Sequence, residues 1–442
     1  MDKFHVNIIE RVIVAPSLPS PKAILHLNPI DNSVRAFTNL LLVYDASHRP
    51  VSVSANPAKT IREALAKVLV YYPAFAGRLR NTENGQLEVA CTGEGVIFVE
   101  AMADNDLSVL RDFNEYDPSF QQLVYSLPED TDVEDLHLLS VKVTCFTCGG
   151  SVVGVRFHHS ICDGIGIGQF LISMGEMARG ELKPSLEPIW NREMVKPDHL
   201  IYLHFHLFQF IRPPLKFEKN NIQAAMGLSY ETINYIKQRM MKEYKQSFST
   251  FEIVAGLVWL ARTKSYRIPY NENVNLMFPI DLRKSVDPPL PDGYYGNFVG
   301  SAFAMDNVQD LLNGSLFRAV MIIKKASFYL NENLRSRNLM KPSTLKVDMK
   351  HENVIGFGDW RNLGFYEADF GWGNAVNVSP MEQQRQSDLA MQNYFIFLRS
   401  SKNMPNGVKI LMFMPAEMVT HFNIEMESLI NKYVAKVCFA KL

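Results

Sequence analysis

The sequence predicts an α/β protein with two halves of similar size, each built around its own mixed β-sheet. Its 442 residues exceed the length at which one hydrophobic core keeps growing, so two domains are expected. Strand-like alternation and helical periodicity occur in both halves. Residues 191–222 between them are rich in proline and charge and lack periodicity, as interdomain connections do. We therefore predict an N-terminal domain over 1–190, a crossover linker over 191–222 and a C-terminal domain over 223–442.

The first half contains an early strand, a helix, a hairpin and a second helix. The opening run MDKFHVNIIERVIVAP interleaves charges with valine and isoleucine, which suits a strand. Residues 59–73 show helical spacing, with Pro73 as the stop. Two alternating β-branched runs flank Gly149-Gly150 and predict a hairpin. The run GQFLISMGEMARG restores a helical period that ends at Gly180.

The second half repeats this mixture of elements. An amphipathic helix is predicted at LSYETINYIKQRMMKEYK, and Ser249 with Glu252 forms a capping-box pattern before the next helix. The runs VNLMFPIDLR, NFVGSAFAM and VKILMFMP read as strands of a second sheet. The closing run MESLINKYVAKV is predicted to be a terminal helix.

Composition restricts the class of protein. The chain is 47% hydrophobic and 21% charged, as ordinary globular proteins are. A formal net charge of −1 argues against nucleic acid or a membrane surface as the partner. No apolar run approaches the ~20 residues that a transmembrane helix needs.

Cysteine usage and the C-terminus bear on the compartment. Five scattered cysteines favour a reducing environment. Cys145 and Cys148 form a lone C-x-x-C with no second pair to complete a zinc site, so no metal is expected. The last three residues, Ala-Lys-Leu, are a degenerate form of the peroxisomal address. We expect a cytoplasmic protein, with the peroxisome as the alternative.

The run RFHHSICDGIGIG, residues 156–168, concentrates chemistry-bearing residues at a strand end. Its glycines at 164, 166 and 168 spell G-x-G-x-G, which differs from the dinucleotide fingerprint G-x-G-x-x-G. They are better explained by a tight turn and close helix packing. Neighbouring His158 and His159 diverge at a strand end, and no further cluster completes a metal site.

His159 is the candidate general base. It follows an apolar strand and precedes an aspartate and a glycine, which places an imidazole on a rigid element. A neutral imidazole with a pKa near ~6.5 can take a proton from an alcohol as the alcohol attacks a carbonyl. The alternative is a hydrogen-bonded core histidine. Ser160 next to it suggests a hydrolase, but HHSIC is not a G-x-S-x-G elbow.

Two motifs together carry a resemblance to a known family. HHSICDG at 158–164 and DFGWG at 369–373, in this order and separation, resemble the plant BAHD acyl-CoA-dependent acyltransferases. The first motif alone also marks the condensation domains of peptide synthetases. The runs VLVYYPAFAGRL, STFEIVAGLVW, IDLR and YYGNFVG extend the likeness over the whole chain. Within the family, the run FGDWRNLGFYEADFGWGNAVNVSP is similar to the taxane O-acyltransferases.

The resemblance implies a fold and a reaction. It implies two chloramphenicol-acetyltransferase-like domains with mixed sheets and a solvent channel between them. Acyl-CoA, as benzoyl-CoA or acetyl-CoA, would enter from one face and a taxane alcohol from the other, to react at His159 in a ternary complex. The protein would be a monomer without a bound cofactor. The acylated hydroxyl and the choice of acyl group stay open.

The resemblance also implies roles for other residues. Trp360 is the analogue of an oxyanion donor through its indole N–H, with simple packing as an equal alternative. Asp163, the aspartate of the motif at 158–164, would turn away from substrate and pair with Arg283. Ser249 and Thr250 at a helix start offer an anion site for CoA phosphates, with a plain helix cap as the alternative.

The DFGWG motif is expected to be structural. Gly371 and Gly373 would permit a tight loop that begins at Asp369, and Trp372 would pack it.

Three other functions compete with taxane acylation. One is a BAHD acyltransferase that acts on another plant alcohol or on an amine. A second is a carrier-dependent condensation enzyme, which would lack DFGWG. The third is a binding protein in which His159 is only structural.

Overall fold

The computed structural model describes most of the chain. The described residues are 4–19, 22–46, 56–127, 132, 135–195, 221–336, 353–381, 393–400 and 404–434. Most of the predicted crossover and the C-terminal Ala-Lys-Leu lie outside these ranges.

The described residues form two six-stranded sheets, a small three-stranded sheet and helices that cover them. The strands are β1 Val6–Val14, β2 Ala23–His26, β3 Phe37–Tyr44, β4 Arg78–Asn81, β5 Leu87–Cys91, β6 Val96–Ala103, β7 Leu139–Cys145, β8 Ser151–His158, β9 Asn221–Leu228, β10 Asn273–Asp281, β11 Val299–Asn307, β12 Val354–Asp359, β13 Asn377–Pro380, β14 Tyr394–Arg399 and β15 Val408–Pro415. The helices are α1 Pro29–Ser33, α2 Pro57–Val68, α3 Gly164–Ala178, α4 Tyr230–Tyr244, α5 Thr250–Ser265, α6 Val308–Asn313, α7 Leu316–Ser336 and α8 Ala416–Val434.

The first sheet has the strand order β1-β6-β7-β8-β3-β13. Its strand pairs are antiparallel except β6 with β7, which run parallel. Every residue of β7 except the last is buried, and every residue of β8 is buried. Helices α2 and α3 pack against each other beside this sheet and share its core. A strand buried this completely provides a rigid base for the loop that follows β8.

The second sheet has the order β11-β10-β12-β14-β15-β9, with β10, β12 and β14 parallel and the other pairs antiparallel. Helices α5, α7 and α8 pack together over one of its faces and form a large apolar core. A smaller cluster of Ile396, Leu398, Leu411 and Phe413 lies on alternate positions of β14 and β15, and therefore on the opposite face. The mixed sheets agree with the predicted fold class.

The predicted local elements are confirmed, with one difference. The hairpin β7–β8 turns at Gly149, whose φ of +82° requires the left-handed region that glycine tolerates. The Ser249 capping box and the terminal helix are present. Helix α2, however, ends at Val68 rather than at Pro73, which instead begins a 3₁₀ turn over Pro73–Ala76. Proline suits a first helical position because its missing N–H is not needed there.

The second half of the chain also contributes to the first sheet. Strand β13 pairs antiparallel with β3. Phe365, Phe370 and Trp372 pack into the core of the first sheet rather than that of the second. The segment that carries DFGWG therefore belongs, by packing, with the N-terminal half, although the predicted division placed it in 223–442.

The glycines after His159 are explained by close backbone approach. A Cβ on Gly168 would overlap the Leu363 carbonyl oxygen, and one on Gly166 would overlap the Tyr295 carbonyl oxygen. Neither glycine has a positive φ. Helix α3 is therefore wedged between two segments from the second half, as the close-packing interpretation predicted. None of the described helices is long and apolar enough to cross a membrane.

Candidate active site

His159 is the first residue after β8. Its backbone N–H donates to the Ala36 carbonyl at 2.8 Å, and the turn closes with a bond from the Ile161 N–H to the His158 carbonyl at 3.0 Å. The residue is partly exposed, but its Nδ1 is buried and makes no hydrogen bond in the described structure. The residue is therefore not completely enclosed by the core, and Nε2 is the ring nitrogen left for a partner.

Burial sets the protonation state of both adjacent histidines. It lowers the pKa of His159, although the charge of Asp163 opposes the shift. Burial also lowers the pKa of His158 to about 3. His158 Nδ1 accepts the Ser160 N–H at 3.3 Å, so this ring has a structural role. Near neutral pH, His159 is a neutral imidazole and can accept a proton.

Ser160 is not placed to act as a nucleophile. It is fully buried, and its hydroxyl donates to the Val34 carbonyl at 3.1 Å. The hydroxyl is thus engaged by the backbone that follows α1, and Ser160 is not exposed to solvent. The hydrolase alternative therefore has no support in the geometry.

Asp163 caps helix α3 and forms a buried ion pair. Its Oδ1 accepts from the Ile165 and Gly166 N–H groups at 3.1 and 3.0 Å. Arg283 Nη2 lies 2.8 Å from both carboxylate oxygens. Burial acts to lower the pKa of Arg283, but Asp163 and Asp281 raise it above its ordinary value. The pairing implied by the resemblance is present, and it joins the two halves of the chain.

A second buried ion pair, which the sequence did not indicate, lies on the other side of the loop. Arg192 Nε donates to Asp31 Oδ2 at 2.8 Å, and both side chains are almost fully buried. Asp31 is the N3 residue of a capping box with Asn28 in α1, so the sequence pattern reads as a helix start. Arg192 stands near the start of the predicted linker, where nothing marks it as a buried residue.

Trp360 lies between the two halves. It packs partly buried against both the first core and the small cluster on β14 and β15. Its ring lies 5.5 Å from that of Phe365 in an edge-on arrangement. Three residues later, Leu363 contacts Gly164 and Gly168 of α3. Trp360 is thus connected through one short loop to the helix that follows His159.

The DFGWG motif forms a tight loop against the first core. Asp369 Oδ1 accepts the N–H groups of Gly371 and Gly373, each at 2.8 Å. Both glycines have positive φ, +104° and +93°, which explains the residue type. Trp372 is buried against Tyr44 at 6.2 Å between ring centroids. All of these contacts are those of a structural loop.

The start of helix α5 is capped and flanked by lysines. Ser249 Oγ accepts the Glu252 N–H at 3.1 Å, and Glu252 accepts the Ser249 N–H at 2.7 Å. The side chain of Ser249 is therefore occupied as a cap. Lys237 Nζ lies 3.5 Å from Thr250 Oγ1, and Lys324 donates to the Ser247 carbonyl at 2.7 Å.

Metal ligands do not cluster in the part of the chain that the structure describes. No group of three or more His, Cys, Asp or Glu residues there could hold an ion. Cys145 and Cys148 are not joined in a disulfide.

Comparison with protein families gives the chain its class. A family model described as the Transferase family matches residues 4–429. This chain is a member of the BAHD transferase family. It is an acyl-CoA-dependent acyltransferase.

Several characterised proteins resemble this BAHD enzyme over their full length. A Taxus cuspidata protein named 2-alpha-hydroxytaxane 2-O-benzoyltransferase is 72% identical over 442 residues, which is 100% of each chain. A taxadien-5-alpha-ol O-acetyltransferase from the same species is 60% identical over 436 residues, or 98% of this chain and 99% of the relative.

A solved structure shares the fold. The crystal structure of vinorine synthase superposes with a TM-score of 0.72 at 20% identity, covering 96% of this chain and 98% of the other. This likeness concerns the fold alone. It agrees with the two-domain α/β architecture expected from the sequence.

Replacing Arg283 should damage folding and activity together. Arg283→Ala leaves the Asp163 carboxylate buried without its partner, which costs about 3–5 kcal/mol. We expect lower soluble yield, a lower midpoint of thermal unfolding and lower activity, measured on the same preparation.

The matched control is Arg62→Ala, in an ion pair with Glu10 where the two side chains are 38% and 45% exposed. Surface pairs contribute about 0–1 kcal/mol, so this variant should behave like the wild type. A wild-type unfolding midpoint for Arg283→Ala would show that the buried pair does not stabilise the loop.

Proposed function

We propose that this enzyme transfers a benzoyl group from benzoyl-CoA to the 2α-hydroxyl of a taxane diterpenoid. The supporting observation is the 72% identity, over the whole of both chains, with the relative named 2-alpha-hydroxytaxane 2-O-benzoyltransferase. Acetyl transfer to a taxadien-5α-ol is the second candidate, because the relative with that name is 60% identical. Both reactions join an acyl-CoA and a taxane hydroxyl, and they differ in donor and position.

His159 is the proposed general base. Its Nε2 takes the proton of the taxane hydroxyl while the hydroxyl oxygen attacks the thioester carbonyl carbon. The tetrahedral intermediate collapses, the carbon–sulfur bond breaks, and the CoA thiolate receives the proton held by the imidazolium. The lowered pKa of His159 supports this role because the ring starts the cycle neutral. General base catalysis of this kind typically contributes 10²–10⁴ in rate, to order of magnitude.

Trp360 is the proposed donor to the oxyanion. Its backbone N–H is already bonded to the Phe397 carbonyl at 2.9 Å, whereas its partly exposed indole lies at the junction of the two halves. An N–H aimed at the developing negative charge stabilises the tetrahedral state more than the ground state. Asp163 has a different role, since its carboxylate holds α3 and Arg283 and does not relay a proton.

The CoA phosphates are proposed to lie near the start of α5. The helix dipole and the first backbone N–H groups favour an anion there. Lys237 and Lys324 bring two positive charges to Thr250 and Ser247. Because Ser249 and Glu252 cap each other, Thr250 and the lysines are better candidates than Ser249 for direct contact.

We propose that the reaction takes place in a channel between the two domains of a monomeric, cytoplasmic enzyme.

The substrate proposal is tested by a panel of donors and acceptors. Purified enzyme is incubated with benzoyl-, acetyl- or longer acyl-CoA and with partially deacylated taxanes, and products are identified by mass spectrometry. We expect benzoyl ester at the 2α-hydroxyl as the main product. A main product acetylated at another position would favour the second candidate.

His159→Ala provides the mechanistic control for this panel. Release of free CoA should fall by about 10²–10⁴ while the protein stays folded. His158→Asn is the matched variant, and we expect a much smaller loss because His158 only supports the turn. Turnover near that of the wild type in His159→Ala would remove the base assignment.

The acidic limb of the pH profile of kcat/KM should lie below the ordinary histidine pKa of about 6.5. Burial lowers the pKa of His159, so protonation of the free enzyme removes the base only below the ordinary histidine value of about 6.5. The logarithm of kcat/KM should therefore stay level down to pH 6.5 and decline below it. Enzyme returned to pH 7.5 must recover full activity, which separates titration from unfolding. An acidic limb centred above 6.5 would contradict the assignment.

Trp360→Phe tests the oxyanion donor. Phenylalanine keeps an aromatic ring against Phe365 but has no N–H, so kcat should fall by about 10²–10³ with little change in KM. The control is Trp259→Phe, since the buried Trp259 Nε1 makes no hydrogen bond in the described structure. Equal kcat values for the two variants would reduce Trp360 to a packing residue.

A further inference from the structure

The segment Tyr294–Phe298, which we name the central clip, contacts both buried ion pairs. The N–H of Asn297 donates to Asp31 Oδ1 at 3.2 Å, and the next N–H, of Phe298, donates to Asp163 Oδ2 at 3.1 Å. Arg283 in turn donates to the carbonyls of Tyr294 and Gly296 at 3.0 and 2.7 Å. One short stretch of backbone therefore ties together both carboxylates that flank the His159 loop.

The side chain of Asn297 extends this connection to His159 itself. Its Nδ2 lies 2.8 Å from both Asp31 Oδ1 and the His159 carbonyl oxygen, and the residue is only 2% exposed. Since the His159 N–H is bonded to Ala36, both backbone polar groups of the proposed base are held. A residue fixed at its N–H and its carbonyl holds its Cα–Cβ bond in one direction, which sets the point from which its imidazole extends.

Arg192 holds the same loop two residues further on. Its Nη2 donates to the Ile161 carbonyl at 2.6 Å while its Nε contacts Asp31. The guanidinium stacks on Trp190, with Cζ 3.7 Å from the ring centroid. A Cβ on Gly296 would overlap this guanidinium, so the clip needs glycine there. The arginine is thus enclosed on several sides and serves as a fixed donor.

We propose that Asn297, held in place by the Asp31–Arg192 pair, is a positioning residue that fixes the backbone of His159 and so aims its imidazole at the substrate hydroxyl. The inference rests on the proposed role of His159 as base. It assigns a function in the reaction to a second buried ion pair that neither catalytic motif contains. Asn297 itself does not contact substrate or the reacting atoms.

The charges around His159 give the positioning role an effect that a purely structural role would lack, namely a shift in the pKa of His159. Burial lowers the pKa of His159, while the charge of Asp163, the nearby Asn297 amide and the charge of Asp31 act to raise it. Loss of the Asn297 amide should therefore lower that pKa further. The charged groups that act on the ring are Asp163 and Asp31, with His158 adjacent, and the two carboxylates are paired with Arg283 and Arg192. These remain unchanged in an Asn297 variant, so a shift reports the amide.

The test is Asn297→Ala, assayed with benzoyl-CoA and a 2α-hydroxytaxane. A misaimed base should reduce kcat by about 10²-fold with KM for acyl-CoA within about twofold. The acidic limb of kcat/KM should move to lower pH than in the wild type. A lost kcat with an unmoved limb would overturn the proposal, as would wild-type values for both.

Asn353→Ala is the matched control. Asn353 is equally buried and donates to a carboxylate, Glu272 Oε2, at 2.7 Å, but it lies in the second domain away from the loop. We expect its kcat and acidic limb to match the wild type even if its thermal midpoint falls. If both asparagine variants lose the same kcat at the same loss of midpoint, the role of Asn297 is structural and the proposal is wrong.

Arg192→Lys tests the same proposal if Asn297→Ala does not fold. Lysine preserves the charge opposite Asp31 but lacks the fork that also reaches the Ile161 carbonyl. We expect a lower kcat with unchanged KM, and wild-type kcat in a folded Arg192→Lys would contradict the proposal. His159→Ala, assayed alongside, distinguishes failure of the base assignment from failure of the positioning role. If it retains turnover the base assignment fails, and if it is inactive while the Asn297 and Arg192 variants are normal, only the positioning role fails.

Discussion

The loop that carries His159 depends on two buried carboxylate–guanidinium pairs, one of which joins the two halves of the chain. Asp163 with Arg283 and Asp31 with Arg192 place two negative and two positive groups out of water. Removing a charge from water is costly, and such pairs persist only when further hydrogen bonds satisfy the remaining atoms. Here the clip at 294–298 provides those bonds. The halves cannot separate at this point without leaving charges uncompensated.

This constraint sets the surroundings of His159, the proposed base. Burial is the largest influence on the pKa of His159 and favours the neutral ring, although the charges of Asp163 and Asp31 oppose it. The glycines of α3 allow segments around Tyr295 and Leu363 to approach the helix directly. The fixed backbone of the loop, the neutral imidazole of His159 and the partial exposure of that residue are consistent with direct transfer between an acyl-CoA and an alcohol.

Local patterns in the sequence predicted local structure well. The hairpin and the Ser249 capping box appear as expected. The pairing of Asp163 with Arg283 is also present, but it was implied by the family resemblance and not by a local pattern. The exceptions have physical causes. Pro73 begins a turn instead of ending a helix, since proline suits either position. The DFGWG segment packs on the first sheet, because a chain that crosses between domains is not bound by its place in the sequence.

The sequence by itself determined the class of protein and its candidate base. The order and separation of HHSICDG and DFGWG specified the family, and glycine and capping patterns depend on neighbours a few residues away. Only the tertiary structure decided that Asp31, Arg192 and Asn297 meet beneath His159. Asp31 and Asn297 are 266 positions apart in the sequence, and a hydrogen bond across such a separation leaves no periodicity or spacing to read. Contacts of this kind arise from how the two halves pack, which is a property of the folded chain.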